Sequence, residues 1–351
     1  MNEILSPHGV QTLLLWYQQN KRDLPWRHTS DPYRIWISEI MLQQTRVEAV
    51  KPYYARFLEA APDVGSLAEL PEEKLMKLWE GLGYYSRARN LQKAARLVVE
   101  NHGGVMPMTY EELLKLPGIG EYTAGAIASI AYGIRVPAID GNVLRVLARV
   151  SGSEADITLP ETKKEFREKL ARVVPAEAGD FTQSLIELGA TVCAPNREPM
   201  CHACPLFGEC VACHEGKTNE IPVRSPKKPR RIEEKTIFLI RDGDRTALHK
   251  RPAKGLLSGL YELPNIEGHL SEGEVLEHLR SLGFEPLRIQ KLENAKHIFT
   301  HIEWHMIAYD VRITPEFDGL HGRSGMLLVP NEELHRSYAI PSAFSAYVKY
   351  L

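Results

Sequence analysis

Cysteine is scarce in this chain of 351 residues, because there are five and all of them lie between residues 193 and 213. Disulfide frameworks spread their cysteines to close loops, so this distribution argues against an extracellular disulfide scaffold and for a metal site. Long apolar runs are missing as well, which argues against a membrane-spanning helix. The first residues, MNEILSPHGV, lack a basic start and an apolar core, so we expect no signal peptide and a cytoplasmic protein.

An excess of charge of one sign is also missing. The chain has 43 Lys and Arg against 45 Asp and Glu, a formal net charge of −2. Bulk charge therefore does not predict a nucleic-acid partner, and any basic surface has to be local. The length, together with 44% hydrophobic residues, is sufficient for two domains that each have a core.

Helical periodicity dominates the chain up to about Cys213. Apolar residues recur three or four positions apart, and Pro, Gly and Asp separate the stretches. The predicted helices include WISEIMLQQTRVEAV, EEKLMKLWEGL, SRARNLQKAARLVVE, TAGAIASIAYG, GNVLRVLARV, ETKKEFREKLARVV and DFTQSLIELGATV. We therefore predict an all-helical domain over residues 1–218.

Strand periodicity replaces the helical pattern further along. KTIFLIRD and RTALHKRP flank a Gly-Asp turn as a hairpin does, HIFTHIEWHMIAYDVRI and MLLVP predict later strands, and helices are expected near residues 271–282 and 343–350. These elements predict a smaller α+β domain over residues 232–351. Residues 219–231, with three prolines and five basic residues, predict an extended linker that is either a solvated spacer or a contact for DNA phosphates.

The cysteines supply four thiolates at intervals of seven, two and five residues: Cys193, Cys201, Cys204 and Cys210. Such a set suits a tetrahedral zinc ion or a 4Fe–4S cluster. Zinc sites usually pair two Cys-x-x-Cys knuckles across a long gap, whereas these short, uneven gaps wrap one object in a single loop, which favours the cluster. Cys213 is left over and is interpreted as a spare thiol.

A glycine-containing turn, Leu116-Pro117-Gly118-Ile119-Gly120, connects two predicted helices. Its glycines allow a sharp turn, and the free N–H groups and positive dipole end of the second helix point the same way. A phosphate is the natural ligand of this helix-hairpin-helix pattern, which binds a DNA backbone without reading its sequence. The alternative is an ordinary glycine-rich turn between helices.

Two carboxylates are candidates for acid chemistry. Glu39 is either a surface residue paired with Gln43 and Arg46, or a carboxylate partly desolvated beside Trp36, with a raised pKa. Asp140 precedes a helix as an N-cap does, and from there it can also present a second carboxylate. Hydrolysis of an N-glycosidic bond to adenine needs such a pair, because an acid has to protonate the poor leaving group and an anion has to stabilise the sugar cation.

Five ordered motifs point to one family. SEIMLQQT, GLGYYSRARNL, LPGIGEYTAGAI, IDGNVLRV and the cysteine loop together resemble the MutY adenine DNA glycosylase family of the endonuclease III-like superfamily, over nearly the whole chain. The resemblance implies a monofunctional enzyme of base excision repair that flips adenine out of a pair with 8-oxoguanine, or guanine, in double-stranded DNA and hydrolyses its glycosidic bond. It also implies a 4Fe–4S cluster on the four cysteines, a nucleoid-associated monomer and no membrane partner.

The same resemblance implies roles for matching positions. In the active site these are Glu39 as the general acid, Asp140 as the acid that stabilises or captures the sugar cation, Asn142 as an orienting group, and Tyr122, which stands where bifunctional relatives carry a Schiff-base lysine. On DNA they are Gln44 and Tyr84 as wedges in the duplex, Gly118 and Gly120 on the backbone, and Phe299, Thr300 and His301 on 8-oxoguanine. The adenine pocket would contain Trp26, Arg27 and Glu187.

The second domain resembles the Nudix-like recognition domain of this family, and it lacks the acidic helix motif that pyrophosphohydrolases need for magnesium. Two departures from the family pattern stand out. The first cysteine gap has seven residues where six are usual, and Thr300 replaces a serine, which keeps the hydroxyl but adds a methyl group.

Three other functions match part of the pattern. A bifunctional enzyme acting on oxidised pyrimidines would use an amine where this chain has Tyr122. A Nudix-type nucleotide hydrolase would need the missing acidic motif. A non-enzymatic iron–sulfur protein for electron transfer or DNA binding would release no adenine.

Overall fold

The chain packs as two units. In this computed structural model the first unit joins Met1–Glu69 to Arg89–Pro226, and the second joins Leu70–Ala88 to Lys227–Leu351. The residues described are 4–195, 197–226, 228–314 and 325–351. Within these ranges no helix combines the length and the apolar character needed to cross a membrane.

The first unit is helical, as the periodicity predicts. Its helices are α1 (Pro7–Asn20), α2 (Pro32–Leu42), α3 (Val47–Ala60), α4 (Val64–Glu69), α6 (Ser86–His102, from residue 89 on), α7 (Tyr110–Leu113), α8 (Glu121–Tyr132), α9 (Gly141–Ser151), α10 (Pro160–Ala171), α11 (Ala178–Thr191) and α12 (Val211–His214). Apolar faces of α9 and α11 meet in one core, where Leu147 and Leu188 are fully buried. Burial of such faces is the main stabilising contribution to a helical domain.

One helix boundary is predicted wrongly. The stretch WISEIMLQQTRVEAV forms two helices, α2 and α3, because the chain leaves helical geometry after Leu42 and Gln44 has a φ of 57°. Left-handed geometry costs a non-glycine residue about 1–2 kcal/mol, so surrounding structure has to hold the break. Tyr84, in the second unit, has the same geometry with a φ of 46°. These are the two residues that the family resemblance assigns as wedges.

The second unit is built on a mixed sheet. Its strands are β1 (Arg231–Asp242), β2 (Arg245–Lys250), β3 (Tyr261–Glu262), β4 (Asn265–Glu267), β5 (Pro286–Lys291), β6 (Ala295–Ile298), β7 (Ile302–Ile313) and β8 (Met326–Pro330), and its helices are α5 (Glu72–Leu78), α13 (Glu272–Ser281), α14 (Asn331–Ser337) and α15 (Ser345–Val348). The order β3-β2-β1-β7-β5 places β1 and β7 side by side and parallel, while β4, β6 and β8 pair with β1, β7 and β2.

Both faces of this sheet are covered. Ile237 and Leu239 of β1 pack in one core with Phe344 near the C-terminus, whereas Phe238 packs in the other with Leu279 of α13. Successive residues of a strand face opposite sides, so a central strand buried on both sides has a continuous apolar run. The apolar run KTIFLI therefore follows from the central position of β1 in the sheet. The α+β prediction is confirmed.

Several boundaries in this region differ from prediction. The predicted strand 297–313 is interrupted by the turn Phe299–His301, and the C-terminal helix is short, since a 3₁₀ turn over Ser342–Phe344 precedes α15. In the predicted linker, Ile221 is only 1% exposed and packs in the core of the first unit. Lys227, one of the linker's basic residues, lies outside the described residues.

Candidate active site

Glu39 is a buried carboxyl group on α2, with 7% of its surface exposed. Its Oε2 accepts a hydrogen bond of 2.6 Å from the hydroxyl of Tyr122. Burial raises the pKa of Glu39 to about 7, and the charge of Asp140 adds to this, while Tyr122 and Arg27 act in the opposite direction. An acid with a pKa near neutrality can both give and regain a proton. Of the two interpretations of Glu39, the structure agrees with the desolvated acid.

Tyr122 lies at the start of α8, directly after the glycine-containing turn. Gly118 has a φ of 78°, and a Cβ there would lie 2.7 Å from the Cβ of Asn90, so this position needs glycine. Gly120 is the N-cap of α8 and supplies no side-chain cap, which leaves the first N–H groups of the helix available to an anion. The N-terminal end of α8 therefore carries both the predicted phosphate-binding turn and the Tyr122 hydroxyl.

Asp140 is the N-cap of α9. Its Oδ1 accepts hydrogen bonds from the backbone N–H groups of Asn142 at 2.8 Å and Val143 at 2.7 Å, and its Oδ2 accepts one from the Asn142 side chain at 2.9 Å. Burial raises the pKa of Asp140, and these three bonds partly offset that effect because they favour the carboxylate. The capping interpretation is therefore confirmed, and the same bonds fix the direction of the carboxylate, whose role in catalysis stays a prediction.

Arg145 connects this carboxylate to the cysteine loop, a role that the sequence did not suggest. Its guanidinium donates to Asn142 Oδ1 at 3.0 Å, to the Gly189 carbonyl at 2.7 Å and to the Cys193 carbonyl at 2.8 Å. A Cβ on Gly189 would lie 2.7 Å from the Asn142 side chain, so glycine there permits this close approach. The available signal was two arginines, Arg145 and Arg149, within the apolar repeat of α9, where they are only 3% and 7% exposed.

Glu187 is a second buried carboxylate, on α11, and it is fully paired. It accepts hydrogen bonds from the Arg22 backbone at 3.0 Å, from the Arg22 guanidinium at 2.8 Å and from Arg27 at 2.7 Å. Burial alone would raise the pKa of Glu187, but these bonds outweigh it and lower the pKa to about 2. Glu187 therefore stays ionised at neutral pH and holds Arg27 in place. Arg22 was missed by the sequence analysis, because its partner is distant in the chain.

Replacement of Glu187 by glutamine is expected to lower the free energy of unfolding by about 3–5 kcal/mol at pH 7, since it leaves the buried Arg27 without a counter-charge. Urea denaturation followed by circular dichroism measures this effect. Glu59→Gln, a change to an exposed carboxylate, is the control and should alter stability little. A Glu187→Gln protein as stable as the parent would mean that the ion pair contributes nothing net.

The remaining adenine-pocket candidate, Trp26, lies in a short 3₁₀ turn and is 7% exposed. Its ring packs edge-on against Tyr54, with the ring centroids 5.5 Å apart. Arg27, the next residue, stacks over Tyr17 with its guanidinium 5.5 Å from the ring centroid. These ring contacts hold the side chains of Trp26 and Arg27 in place. The side chain of Gln44, the predicted wedge, is exposed to solvent.

The cysteines line one cavity together with Arg149 and apolar side chains. Within the described residues no three His, Cys, Asp or Glu side chains converge on a point that could hold a single metal ion. Zinc needs its sulfur ligands at about 2.3 Å, whereas a 4Fe–4S cluster binds each thiolate to a different iron and needs sulfurs spread around a larger volume. Cysteine thiols that face one cavity supply the donors that either group uses. Arg149 donates a 3.3 Å hydrogen bond to Cys193 Sγ.

In the second unit, the turn Phe299–His301 joins β6 to β7. The ring of Phe299 lies edge-on to Trp304, with centroids 4.9 Å apart, and anchors the turn in the core. Thr300 is exposed at the tip, and its Oγ1 lies 2.8 Å from the hydroxyl of Tyr84. His301 is also exposed, and its carbonyl accepts a 3.0 Å hydrogen bond from the Arg231 backbone. The hydroxyl groups of Thr300 and Tyr84 therefore lie within hydrogen-bond distance of each other on the surface.

Comparison with known proteins agrees with this architecture. Residues 37–176 match the family model of the HhH-GPD superfamily base excision DNA repair proteins, and residues 236–350 match the NUDIX domain. An adenine DNA glycosylase of Mus musculus is 39% identical over 350 residues, covering 83% of this chain and 68% of the mouse protein. The chain belongs to the adenine DNA glycosylase family.

Two further relatives fit this family assignment. An adenine DNA glycosylase of Homo sapiens is 35% identical over 401 residues, covering 96% of this chain and 73% of the human protein. The solved structure of a thermostable thymine-DNA glycosylase is 32% identical, with a TM-score of 0.54, over 59% of this chain and 95% of its own. The helical glycosylase fold and the Nudix-like second domain expected for this family are therefore confirmed.

Proposed function

We propose that this chain excises adenine from a pair with 8-oxoguanine, or with guanine, in double-stranded DNA, by acid-assisted hydrolysis of the glycosidic bond. The observation that carries the proposal is the buried Glu39 carboxyl group, hydrogen-bonded to Tyr122 at 2.6 Å and under the electrostatic influence of Asp140. Family membership supports the base and the reaction class, since the relatives are adenine DNA glycosylases. The pairing of adenine with 8-oxoguanine and the catalytic roles of the residues are part of the proposal.

The mechanism follows from the two environments. Adenine leaves the base stack of the DNA duplex and enters the site, where Glu39 donates its proton to a ring nitrogen of the base. The bond from the sugar to the base breaks, its electron pair leaves with the neutral adenine, and the sugar carries the cationic charge. The Asp140 carboxylate, oriented by Asn142 and Val143, stabilises that charge. Water then adds to the sugar carbon and loses a proton to Glu39, which restores the acid.

Tyr122 makes the enzyme monofunctional in this proposal. A phenol cannot form the Schiff base that a lysine forms with an opened sugar, so strand cleavage through an amine is not available at this position. The hydroxyl instead donates to Glu39 and keeps the carboxyl group oriented. Borohydride trapping on damaged DNA separates the two mechanisms, because a stable covalent complex through an amine would support the bifunctional alternative.

The cofactor proposed is a 4Fe–4S cluster held by Cys193, Cys201, Cys204 and Cys210. Bound there, the cluster would cross-link a loop that has little core of its own, and redox turnover is not required for that role. Arg145 joins the Cys193 carbonyl to Asn142, so the chain itself provides a rigid connection from this loop to Asp140.

Thr300 is proposed to recognise the oxidised guanine. Thr300→Ala should lower the ratio of excision rates for adenine opposite 8-oxoguanine and opposite guanine by about fivefold, the effect of one lost hydrogen bond. Thr300→Ser keeps the hydroxyl and should preserve the ratio, while Tyr84→Phe removes only the partner hydroxyl and tests whether Tyr84 positions Thr300. An unchanged ratio in Thr300→Ala would remove the turn from recognition.

The function is tested by a single-turnover excision assay on three duplexes, which carry adenine opposite 8-oxoguanine, adenine opposite guanine, and thymine glycol. We expect adenine release from the first two, fastest opposite 8-oxoguanine, and none of the pyrimidine product. Release of thymine glycol instead of adenine would overturn the proposal.

A further inference from the structure

The basic linker ends against the turn Phe299–His301. Its sequence left two interpretations open, a solvated spacer or a contact for DNA phosphates. Its last two residues have a more specific contact: Arg230 Nε donates a 3.1 Å hydrogen bond to the Phe299 carbonyl, and the Arg231 backbone N–H donates a 3.0 Å one to the His301 carbonyl. The end of the linker therefore holds the turn on both sides of its exposed tip.

Arg230 acts on the peptide group that leads into Thr300. A peptide group is planar, so the direction of the Phe299 carbonyl also fixes the direction of the Thr300 N–H and the point from which the Thr300 side chain starts. The rest of Phe299 is fixed as well, because its N–H donates a 2.8 Å hydrogen bond to the Ile302 carbonyl and its ring packs on Trp304. The bond from Arg230 completes this anchoring on the side that faces Thr300.

We propose that Arg230 is a positioning residue for the recognition of oxidised guanine, which acts through Thr300 and not through a DNA phosphate. The inference rests on the proposed role of the turn in that recognition. Discrimination between 8-oxoguanine and guanine depends on hydrogen bonds at one edge of the base, and such bonds weaken steeply when donor and acceptor are misaligned. A turn that is held less firmly therefore loses discrimination before it loses affinity for the duplex.

Two substitutions of Arg230 separate its hydrogen bond from its charge. Arg230→Ala removes both. Arg230→Gln removes the charge only, because glutamine carries its amide nitrogen on the δ-carbon that carries Nε in arginine, so a donor remains at the position that bonds to Phe299. Arg231→Ala is the matched control, since it removes an adjacent charge that pairs with Glu233 and keeps the backbone bond to His301.

The measurement is the ratio of single-turnover excision rates for adenine opposite 8-oxoguanine and opposite guanine, in the intact chain. We expect Arg230→Ala to lower this ratio about threefold, in line with the loss of one exposed hydrogen bond, and Arg230→Gln and Arg231→Ala to keep the ratio of the parent. In a Thr300→Ala background, Arg230→Ala should lower the ratio no further, because both changes act on the same contact.

The salt dependence of duplex binding, followed by fluorescence anisotropy, gives a second reading. A phosphate contact would make Arg230→Gln bind as weakly as Arg230→Ala, with a smaller salt dependence than the parent, and would leave the excision ratio unchanged in both variants. That result, or a ratio that falls equally in both variants, would overturn the inference and leave the proposed function in place. A parent protein that releases adenine equally fast opposite both bases would remove the role of the turn and the inference together.

Discussion

Glu39→Gln should abolish adenine release while the protein still binds its duplex. The amide has the shape of the acid and can accept the Tyr122 hydrogen bond, but it has no proton of suitable acidity to give to the leaving base. A general acid contributes about 10²–10⁴-fold to a rate, so we expect a loss of about 10³-fold in single-turnover excision. Binding measured by fluorescence anisotropy should change little. Wild-type excision by the variant would contradict the role of Glu39.

The same substitution should stabilise the fold at neutral and alkaline pH. The pKa of Glu39 is 4.5 when unperturbed and about 7 in the fold. Below pH 4.5 the carboxyl group is protonated in both the folded and the unfolded chain. As the pH rises toward 7 the unfolded chain ionises first, so the free energy of unfolding falls by about 3 kcal/mol in total. Above pH 7 it stays at this lower value. Glutamine does not ionise and avoids this loss. Denaturation of both proteins at pH 4.5 and pH 8 measures the difference, and a gain that is equal at both values would exclude titration as its cause.

Asp140→Asn should lower excision by about 10²–10³-fold with a small effect on stability. Asparagine caps a helix as well as aspartate does, so the bonds from Asn142 and Val143 to the side chain can persist while the negative charge is lost. One contact becomes unfavourable, because the new amide N–H₂ would face the Asn142 amide in place of Oδ2, which costs about 1 kcal/mol.

Asp140→Ser separates the capping role from the charge. Serine keeps a cap without a carboxylate, so its excision rate should fall as far as that of Asp140→Asn. Single-turnover rates and thermal denaturation of both variants supply the comparison. If either uncharged variant excised adenine at the parent rate, the carboxylate would be a cap and nothing more.

The largest gap between sequence and structure concerns Glu39. On a helical wheel it shared a face with Gln43 and Arg46, which made a solvated ion pair a reasonable alternative. The helix ends at Leu42 and Gln44 adopts left-handed geometry, so Arg46 lies outside the helix. The Gln43 side chain donates a 3.4 Å hydrogen bond to Thr123 Oγ1. A helix break that long-range packing maintains leaves no local sequence pattern. The apolar periodicity therefore predicted one continuous helix across it.

Phe299 shows the same limit in the second unit. The resemblance assigned Phe299, Thr300 and His301 to one recognition loop, and the strand period ran through all three. The ring of Phe299 packs on Trp304, so the exposed side chains of the turn are those of Thr300 and His301. Which side chain of a turn faces the core depends on the strand register around it, and that register is set by pairs such as His297 with Trp304.

The sequence by itself determined what is local: the glycines of the phosphate turn, the N-cap at Asp140, the apolar run of the central strand and the cysteine spacing all follow from backbone geometry and chemistry within a few residues. The tertiary structure alone decided which charges are paired and which are buried. Glu39 meets Tyr122 across 83 positions of the chain and Glu187 meets Arg22 across 165. Solvation and the approach of distant side chains set the pKa values of such groups, so one carboxyl group has a pKa of about 7 and the other stays ionised down to about pH 2.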